Sequence, residues 1–176
     1  NNGSLHEIPT VDLASQILGA LKQRNQLPAY SLDDIAFGVV CNTGEQGGGI
    51  ARAAALLSGF EHTVPGYQLN RFCSSGLEAI NNSAAQIIAG QANLVIGGGV
   101  ESMSRVTPGT DVGAWRCDPA VADAMKLLPV GICADLIATL QGFSRETIDH
   151  YALSSHLRAA QAWNNGRVKR DVLPSQ

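Results

Sequence analysis

The sequence predicts an α/β fold with a mixed, mainly parallel sheet and one inserted irregular stretch. Helical stretches with one apolar face alternate with short apolar runs rich in strand-forming residues. This alternation favours parallel strands joined by right-handed crossovers. Of the 176 residues, 45% are hydrophobic, only 5% are aromatic and 19 are glycine, which suits close packing of helices on strands. A chain of this length can bury one core and carry a small excursion.

The first elements are a helix, a strand and a second helix. The first helix begins at Thr10 or Asp12 and ends before Pro28, with apolar residues at helical spacing on one face. Residues 35–41 form an apolar run bounded by turn residues, as expected of a buried parallel strand. After a glycine-rich loop, the second helix begins at Ile50.

A third helix is predicted to start at Cys73, after an extended piece at residues 66–72. Gly90 is placed to end this helix. Residues 93–97 are expected to form another strand, and the glycines at 97–99 are expected to form a turn after it. The helix carries an apolar stripe that should pack into the core, made of Leu77, Ile80, Ala84, Ile87 and Ile88.

The chain then becomes irregular before it returns to regular helix. Residues 105–142 mix proline, glycine, tryptophan and short apolar pieces, with a helical piece near 130–140. Ser144 can cap a longer helix that ends at residues 164–166, and residues 168–173 are predicted to be a returning strand. The predicted domains are therefore an α/β domain at 1–104 and 143–176, with an excursion at 105–142.

Composition excludes several classes of function. The chain has 12 Lys and Arg against 15 Asp and Glu, a formal charge of −3, and no basic stripe that would favour nucleic acid. Its apolar runs are far shorter than the roughly 18 residues that a membrane span needs. The four cysteines have irregular spacing without a Cys-x-x-Cys pair, which predicts neither a metal site nor a disulfide framework. Reduced thiols favour a cytoplasmic location.

Cys73 is the candidate catalytic residue. It lies where a helix is predicted to start, so free backbone N–H groups and the positive end of the helix dipole would surround its sulfur. Such a setting favours the thiolate, which is the nucleophilic form of cysteine. The alternative is that Cys73 is a small buried hydrophobe, as many lone cysteines are.

Other motifs do not support a competing site. The glycines at 97–99 lack the third glycine of a dinucleotide-binding fingerprint, and a proline interrupts the helix that should follow. Arg71 stands where the Gly-x-Ser-x-Gly elbow of hydrolases would need glycine. His150 and His156 fall on different faces of the long helix, which is typical of solvated or structural histidines.

Four segments resemble, in the same order, the N-terminal half of the thiolases. They are Asn-Arg-Phe-Cys-Ser-Ser-Gly-Leu-Glu-Ala at 70–79, Asn-Leu-Val-Ile-Gly-Gly-Gly-Val-Glu-Ser-Met-Ser at 93–104, Pro-Val-Gly-Ile-Cys-Ala-Asp at 129–135, and residues 144–174. The resemblance covers nearly the whole chain. Asn70 and Arg71 before the cysteine favour thiolases over the related ketosynthases.

The resemblance implies a five-stranded layered α/β domain and an acyltransferase. Cys73 would take an acyl group from an acyl-CoA or 3-ketoacyl-CoA, and its amide would stabilise the oxyanion. Coenzyme A and acyl-CoA would be substrates, with no tightly bound cofactor and no metal. Residues 105–142 would match the loop domain over the pantetheine arm. A homodimer or tetramer is implied as well.

The segment around Val130 and Gly131, which is expected to bind substrate, departs from the family pattern. Val130 replaces a methionine that would border the bound thioester, and Leu136 replaces an asparagine. Asp135 keeps the charge of the usual glutamate on a shorter side chain. These changes predict an altered acyl pocket.

Two motifs of the family do not occur in these 176 residues. They are the Gly-His-Pro loop, whose histidine activates the nucleophile, and a Cys-x-Gly loop, whose cysteine moves the substrate proton. The expectation is therefore that the chain is part of a longer thiolase and cannot turn over alone. The alternatives are a non-catalytic, truncated thiolase-like partner subunit and a cysteine hydrolase of another fold.

Overall fold

The computed structural model describes residues 3–174, which divide into two compact units at 3–111 and 112–174. The first unit is α/β and the second is helical. Residues 1–2 and 175–176 of the predicted α/β domain lie outside the described residues. The domain boundaries inferred from the sequence stay a prediction.

The first unit has a parallel sheet at its centre, as predicted. Its described strands run in the order β2-β1-β3, with both neighbouring pairs parallel, where the resemblance implied five strands. Ala36 pairs with Tyr67 on one side and with Gly97 on the other. The elements are α1 (Thr10–Arg24), β1 (Asp34–Gly38), a 3₁₀ turn (Gly44–Gln46), α2 (Ile50–Leu57), β2 (Tyr67–Leu69), α3 (Ser75–Ile88) and β3 (Val95–Gly99).

One face of the sheet packs against α1 and α2. Alternate side chains of a strand point to one face, so Ile35, Phe37 and Val39 all enter the same core cluster. Burying an apolar side chain of this size contributes roughly 1.5–3 kcal/mol. The cluster is completed by residues from both helices and the following loops: Ala14, Leu18, Leu32, Ile50, Ala51, Ala54, Ala55, Phe60 and Val64.

The opposite face of the sheet is covered by α3, and two predictions about this region are wrong. The residues at 97–99 lie inside β3 and not in a turn. A Cβ built at Gly97 would lie 2.7 Å from the Ile80 Cα, and one at Gly38 would overlap the backbone of Ser75. The glycines thus let the helix approach the sheet closely.

This close approach also reverses the predicted burial of α3. The buried positions of the helix are the small residues Ser75, Ala79 and Ser83, because only small side chains fit against a glycine surface. Leu77 and Ile88 of the predicted inward stripe are 62% and 86% exposed. The remaining members of that stripe are exposed too: Ile80, Ala84 and Ile87.

The predicted end of α3 is confirmed. Gly90 has a φ of 69°, and its N–H donates to the Ile87 carbonyl at 3.0 Å. Gln91 N–H donates to the Gln86 carbonyl at 2.9 Å, which completes a Schellman motif.

The second unit consists of helices joined by turns and irregular segments, without a strand among its described residues. The Ser144 hydroxyl caps the longest helix by accepting from the Thr147 N–H at 3.2 Å, as predicted. The predicted returning strand at 168–173 is wrong, because residues 168–171 form turns and this unit offers no strand to pair with them. The helices are α4 (Ala114–Cys117), α5 (Pro119–Ala124), α6 (Val130–Gln141) and α7 (Arg145–Asn164). Among residues 3–174, no helix combines the length and the apolar character that crossing a bilayer requires.

Candidate active site

Cys73 lies in a tight turn between β2 and α3. The helix begins at Ser75, two residues later than predicted, so the cysteine precedes its first turn and faces the positive end of the helix dipole. Phe72 has a φ of 48°, a left-handed conformation that is uncommon for bulky residues. The cysteine is exposed. The alternative that it is a buried hydrophobe is therefore excluded.

Side chains on both sides of Cys73 hold this turn. The Ser75 hydroxyl donates to the Phe72 carbonyl at 2.6 Å and accepts from the Arg71 N–H at 2.8 Å. Asn70 Oδ1 accepts from the Phe72 N–H at 2.7 Å, while its Nδ2 donates to the Val40 carbonyl at 3.0 Å. The turn is thus tied both to α3 and to the end of β1.

The Cys73 side chain borders a cleft of about 390 Å³ at the carboxyl edge of the sheet. In open parallel sheets this edge is the usual place for a ligand. Glycines at the ends of β1 and β3 form part of its wall. The lining comprises Gly38, Val40, Phe72, Cys73, Ser75, Gly76, Ile80, Gly98, Gly99, Val100 and Glu101.

Glu101 is a charged residue in the wall of this cleft, and its carboxylate is used structurally. One oxygen accepts from the Val40 N–H at 2.7 Å. The other accepts from the Cys41 N–H at 3.1 Å and from Gln46 Nε2 at 2.7 Å. A carboxylate with three such donors ties the segments after β1 and β3 together through charge-assisted hydrogen bonds.

Gln46 is fully buried beside Glu101 and satisfies several backbone groups. Its Nε2 also donates to the Cys41 carbonyl at 3.0 Å, and its Oε1 accepts from the Ser102 N–H at 2.6 Å. Because buried polar groups need partners, this glutamine joins the segment after β1 to the segment after β3. These bonds cross-link the two segments at the edge of the sheet that carries the cleft.

The other cysteines differ from Cys73 in their surroundings. Cys41 is buried, and burial raises the pKa of its thiol, which favours the unreactive form. Cys117 is exposed and Cys133 is partly exposed, both in the second unit. All four are free thiols, and no cluster of three metal-ligating side chains occurs among residues 3–174.

The predicted substrate-binding residues Val130 and Gly131 begin α6 in the second unit. The Val130 side chain is 84% exposed, and Pro129 precedes it as the N-cap residue. The structure thus describes Cys73 and this pair in separate units. The substrate-binding role of the pair stays a prediction.

The structural roles of Asn70, Ser75, Gln46 and Glu101 were not predicted from the sequence. Asn70 carried a usable signal, since asparagine directly after a strand often bonds to the backbone two residues later. Gln46 and Glu101 carried none, because they are 55 residues apart and meet only when β1 and β3 pair.

Comparison with known proteins shows which family this chain resembles. Residues 1–176 match the family model described as "Thiolase, N-terminal domain". The 3-ketoacyl-CoA thiolase of Photorhabdus laumondii is 37% identical over 175 residues, which are 98% of this chain and 44% of the relative. That of Pseudoalteromonas translucida is 40% identical over 163 residues, 92% of this chain and 42% of the relative.

A third relative, the 3-ketoacyl-CoA thiolase of Cronobacter sakazakii, is 37% identical over 178 residues. That match takes in 98% of this chain and 45% of the relative. The chain spans less than half the length of each of these relatives. With the family model covering every residue and an α/β unit that carries the cysteine before α3, the chain belongs to the thiolase family.

Proposed function

We propose that this chain supplies the nucleophile of a thiolase, an acyl-CoA acyltransferase. The Cys73 thiolate attacks the carbonyl carbon of an acyl-CoA or 3-ketoacyl-CoA and forms a thioester on the enzyme. With acyl-CoA the leaving group is the coenzyme A thiolate; with 3-ketoacyl-CoA it is the acetyl-CoA carbanion, which takes up a proton. Coenzyme A then accepts the acyl group in thiolytic cleavage, or an acetyl-CoA carbanion accepts it in Claisen condensation.

The observation that carries this proposal is the placement of Cys73. The thiol is exposed on a turn at the start of α3 and borders the cleft at the carboxyl edge of the sheet. The Cys73 amide would donate to the oxyanion of the tetrahedral intermediate, which is the interaction that acyl transfer most needs.

The second unit would contribute substrate binding. Val130 and Gly131 would border the acyl group, and coenzyme A would enter only as a substrate, without a resident cofactor or metal. The relatives' name supports 3-ketoacyl-CoA substrates and a part in fatty acid β-oxidation. A homodimer or tetramer in the cytoplasm, without nucleic acid or membrane partners, completes the proposal.

The proposal assigns only part of the chemistry to these residues. The histidine that would activate the nucleophile and the second cysteine that would move the substrate proton lie in motifs that do not occur here. We therefore expect the 176 residues to accept an acyl group without sustained turnover, because each of these roles contributes orders of magnitude to the rate.

Acyl trapping tests the proposal. The purified chain is incubated with acetyl-CoA, and each cysteine-containing peptide is examined by mass spectrometry. We expect an acetyl group on Cys73, its loss in Cys73→Ser and its retention in Cys117→Ser, the control for an exposed thiol. Acetylation of Cys117 to the same extent as Cys73, or of neither, would refute the proposal and favour a non-catalytic partner subunit. A parallel thiolysis assay on acetoacetyl-CoA should show no sustained turnover.

A further inference from the structure

We propose that Ser75 is a positioning residue for the nucleophile. Its hydroxyl holds Phe72 in the left-handed conformation that directs Cys73 toward the cleft and its amide toward the oxyanion. The inference rests on the proposed function, since it concerns the same acyl transfer, but nothing in the family match or in the relatives' names assigns a role to this serine.

The hydrogen bonds around Ser75 bracket the strained residue. The hydroxyl accepts from the N–H of Arg71 at 2.8 Å and donates to the carbonyl of Phe72 at 2.6 Å. The Ser75 N–H donates to the same carbonyl at 2.9 Å. Ser75 is only 3% exposed, so its end of these bonds is shielded from water.

Phe72 needs such support. Its φ of 48° places a bulky side chain in a region that costs of order 1–3 kcal/mol and persists only when neighbouring groups enforce it. Asn70 holds the N–H side of the same residue at 2.7 Å, but Asn70 is exposed. The buried hydroxyl of Ser75 is therefore the stronger of the two restraints.

Ser74 provides the contrast within the same turn. It is exposed and is the N-cap residue of α3, yet its side chain makes no capping hydrogen bond. The two adjacent serines thus carry the same side chain, but only the Ser75 hydroxyl has been shown to bond to the backbone on both sides of Phe72. If the turn only required small polar residues, substitution of either serine would have the same effect.

The position of Cys73 matters more for acyl transfer than for alkylation. Acyl transfer passes through an oxyanion that must meet a donor at about 2.7–3.1 Å, whereas displacement of iodide by a thiolate forms no oxyanion. With p-nitrophenyl acetate, the Cys73 thiolate forms the S-acetyl bond and p-nitrophenolate leaves with the electron pair. With iodoacetamide, the same thiolate forms a carbon–sulfur bond and iodide leaves.

The test compares the rates of these two reactions at Cys73, resolved from Cys117 by peptide mass spectrometry. The purified 176-residue chain is used, as wild type, Ser75→Ala and Ser74→Ala. We expect Ser75→Ala to lower the acylation rate of Cys73 by about tenfold, as the loss of a buried hydrogen bond permits, with its alkylation changed less than about twofold. Ser74→Ala should match the wild type in both reactions.

Two further variants separate positioning from folding. Ser75→Thr retains the hydroxyl and should keep the wild-type ratio of acylation to alkylation. In a Phe72→Gly background, Ser75→Ala should change the ratio less than about twofold, because glycine reaches positive φ unaided. Far-UV circular dichroism verifies that each variant is folded. If Ser75→Ala alone does not fold, the test of the positioning role rests on Ser75→Thr and on Phe72→Gly with and without Ser75→Ala.

The outcomes distinguish this inference from the proposed function. Equal ratios in wild type and Ser75→Ala would overturn the role of Ser75 alone. Equal losses in Ser75→Ala and Ser75→Thr, or in both Phe72 backgrounds, would also overturn it, because packing would then explain the effect. If Cys73 of the wild type is acylated no faster than Cys117, the proposed function fails and the positioning role fails with it.

Discussion

Substitution of Gly97 by alanine tests the close packing of α3 on the sheet. A Cβ at this position would lie 2.7 Å from the Ile80 Cα, 2.9 Å from the Ser83 Oγ and 3.0 Å from the Ala79 carbonyl oxygen. Carbon atoms pack favourably at about 3.5–4.0 Å. The helix or the strand would therefore have to move by roughly 1 Å.

Gly98→Ala is the matched control. The two glycines are neighbours in β3, and a Cβ at Gly98 would come no closer than 3.8 Å, to Cε1 of Phe37. Both substitutions restrict the unfolded chain equally, which by itself stabilises by about 0.4–1 kcal/mol. The difference between the two variants consequently isolates the overlap in the native state.

We expect Gly97→Ala to have a free energy of unfolding about 1–3 kcal/mol lower than Gly98→Ala, the usual cost of overpacking. Urea unfolding followed by far-UV circular dichroism measures this difference. Equal stability of the two variants would refute the reasoning, since it would mean that α3 can retreat from the sheet without cost.

Two other predictions concern the polar contacts of the first unit. Hydrogen bonds from Arg105 and Thr10 lower the pKa of Glu45 from 4.5 to about 2. The stability that the ionised Glu45 gives the fold is therefore complete above pH 4.5 and is lost as the pH falls toward 2. Glu45→Gln should be less stable than the wild type at neutral pH, and this difference should shrink on acidification; a constant difference in urea midpoint from neutral pH to pH 2 would contradict it. Gln46→Leu should destabilise the chain by about 1–3 kcal/mol, because the Ser102 N–H and the Cys41 carbonyl lose a buried partner. Gln23 is exposed, so Gln23→Leu is the control in the same unfolding assay. If the two variants lose the same free energy of unfolding, the hydrogen bonds of Gln46 do not stabilise the fold.

Local capping signals made part of the fold predictable. Ser144 begins α7 with a bond to the N–H three residues later, and Gly90 ends α3 in a left-handed conformation. Both motifs lie within a few residues of sequence, so the residue types specify them. The position of Cys73 near the start of a helix followed from the short apolar run before it and the helical spacing of apolar residues after it.

Other helix starts depend on residues that are distant in sequence. The first N–H of α1, at Thr10, donates to the Glu45 carboxylate at 3.1 Å. The first N–H of α2, at Ile50, donates to Gln68 Oε1 at 2.8 Å. No local pattern reveals these caps, since the partners are 35 and 18 residues away.

The sequence by itself determined the α/β class, the alternation of helices with parallel strands, and the location of a cysteine at the start of the third helix. Only the tertiary structure decided which face of that helix is buried. Helical periodicity locates an apolar stripe, but it carries no information about the surface that the helix will meet. The sheet presents Gly38 and Gly97 to α3, so small residues pack there and the larger apolar side chains stay exposed.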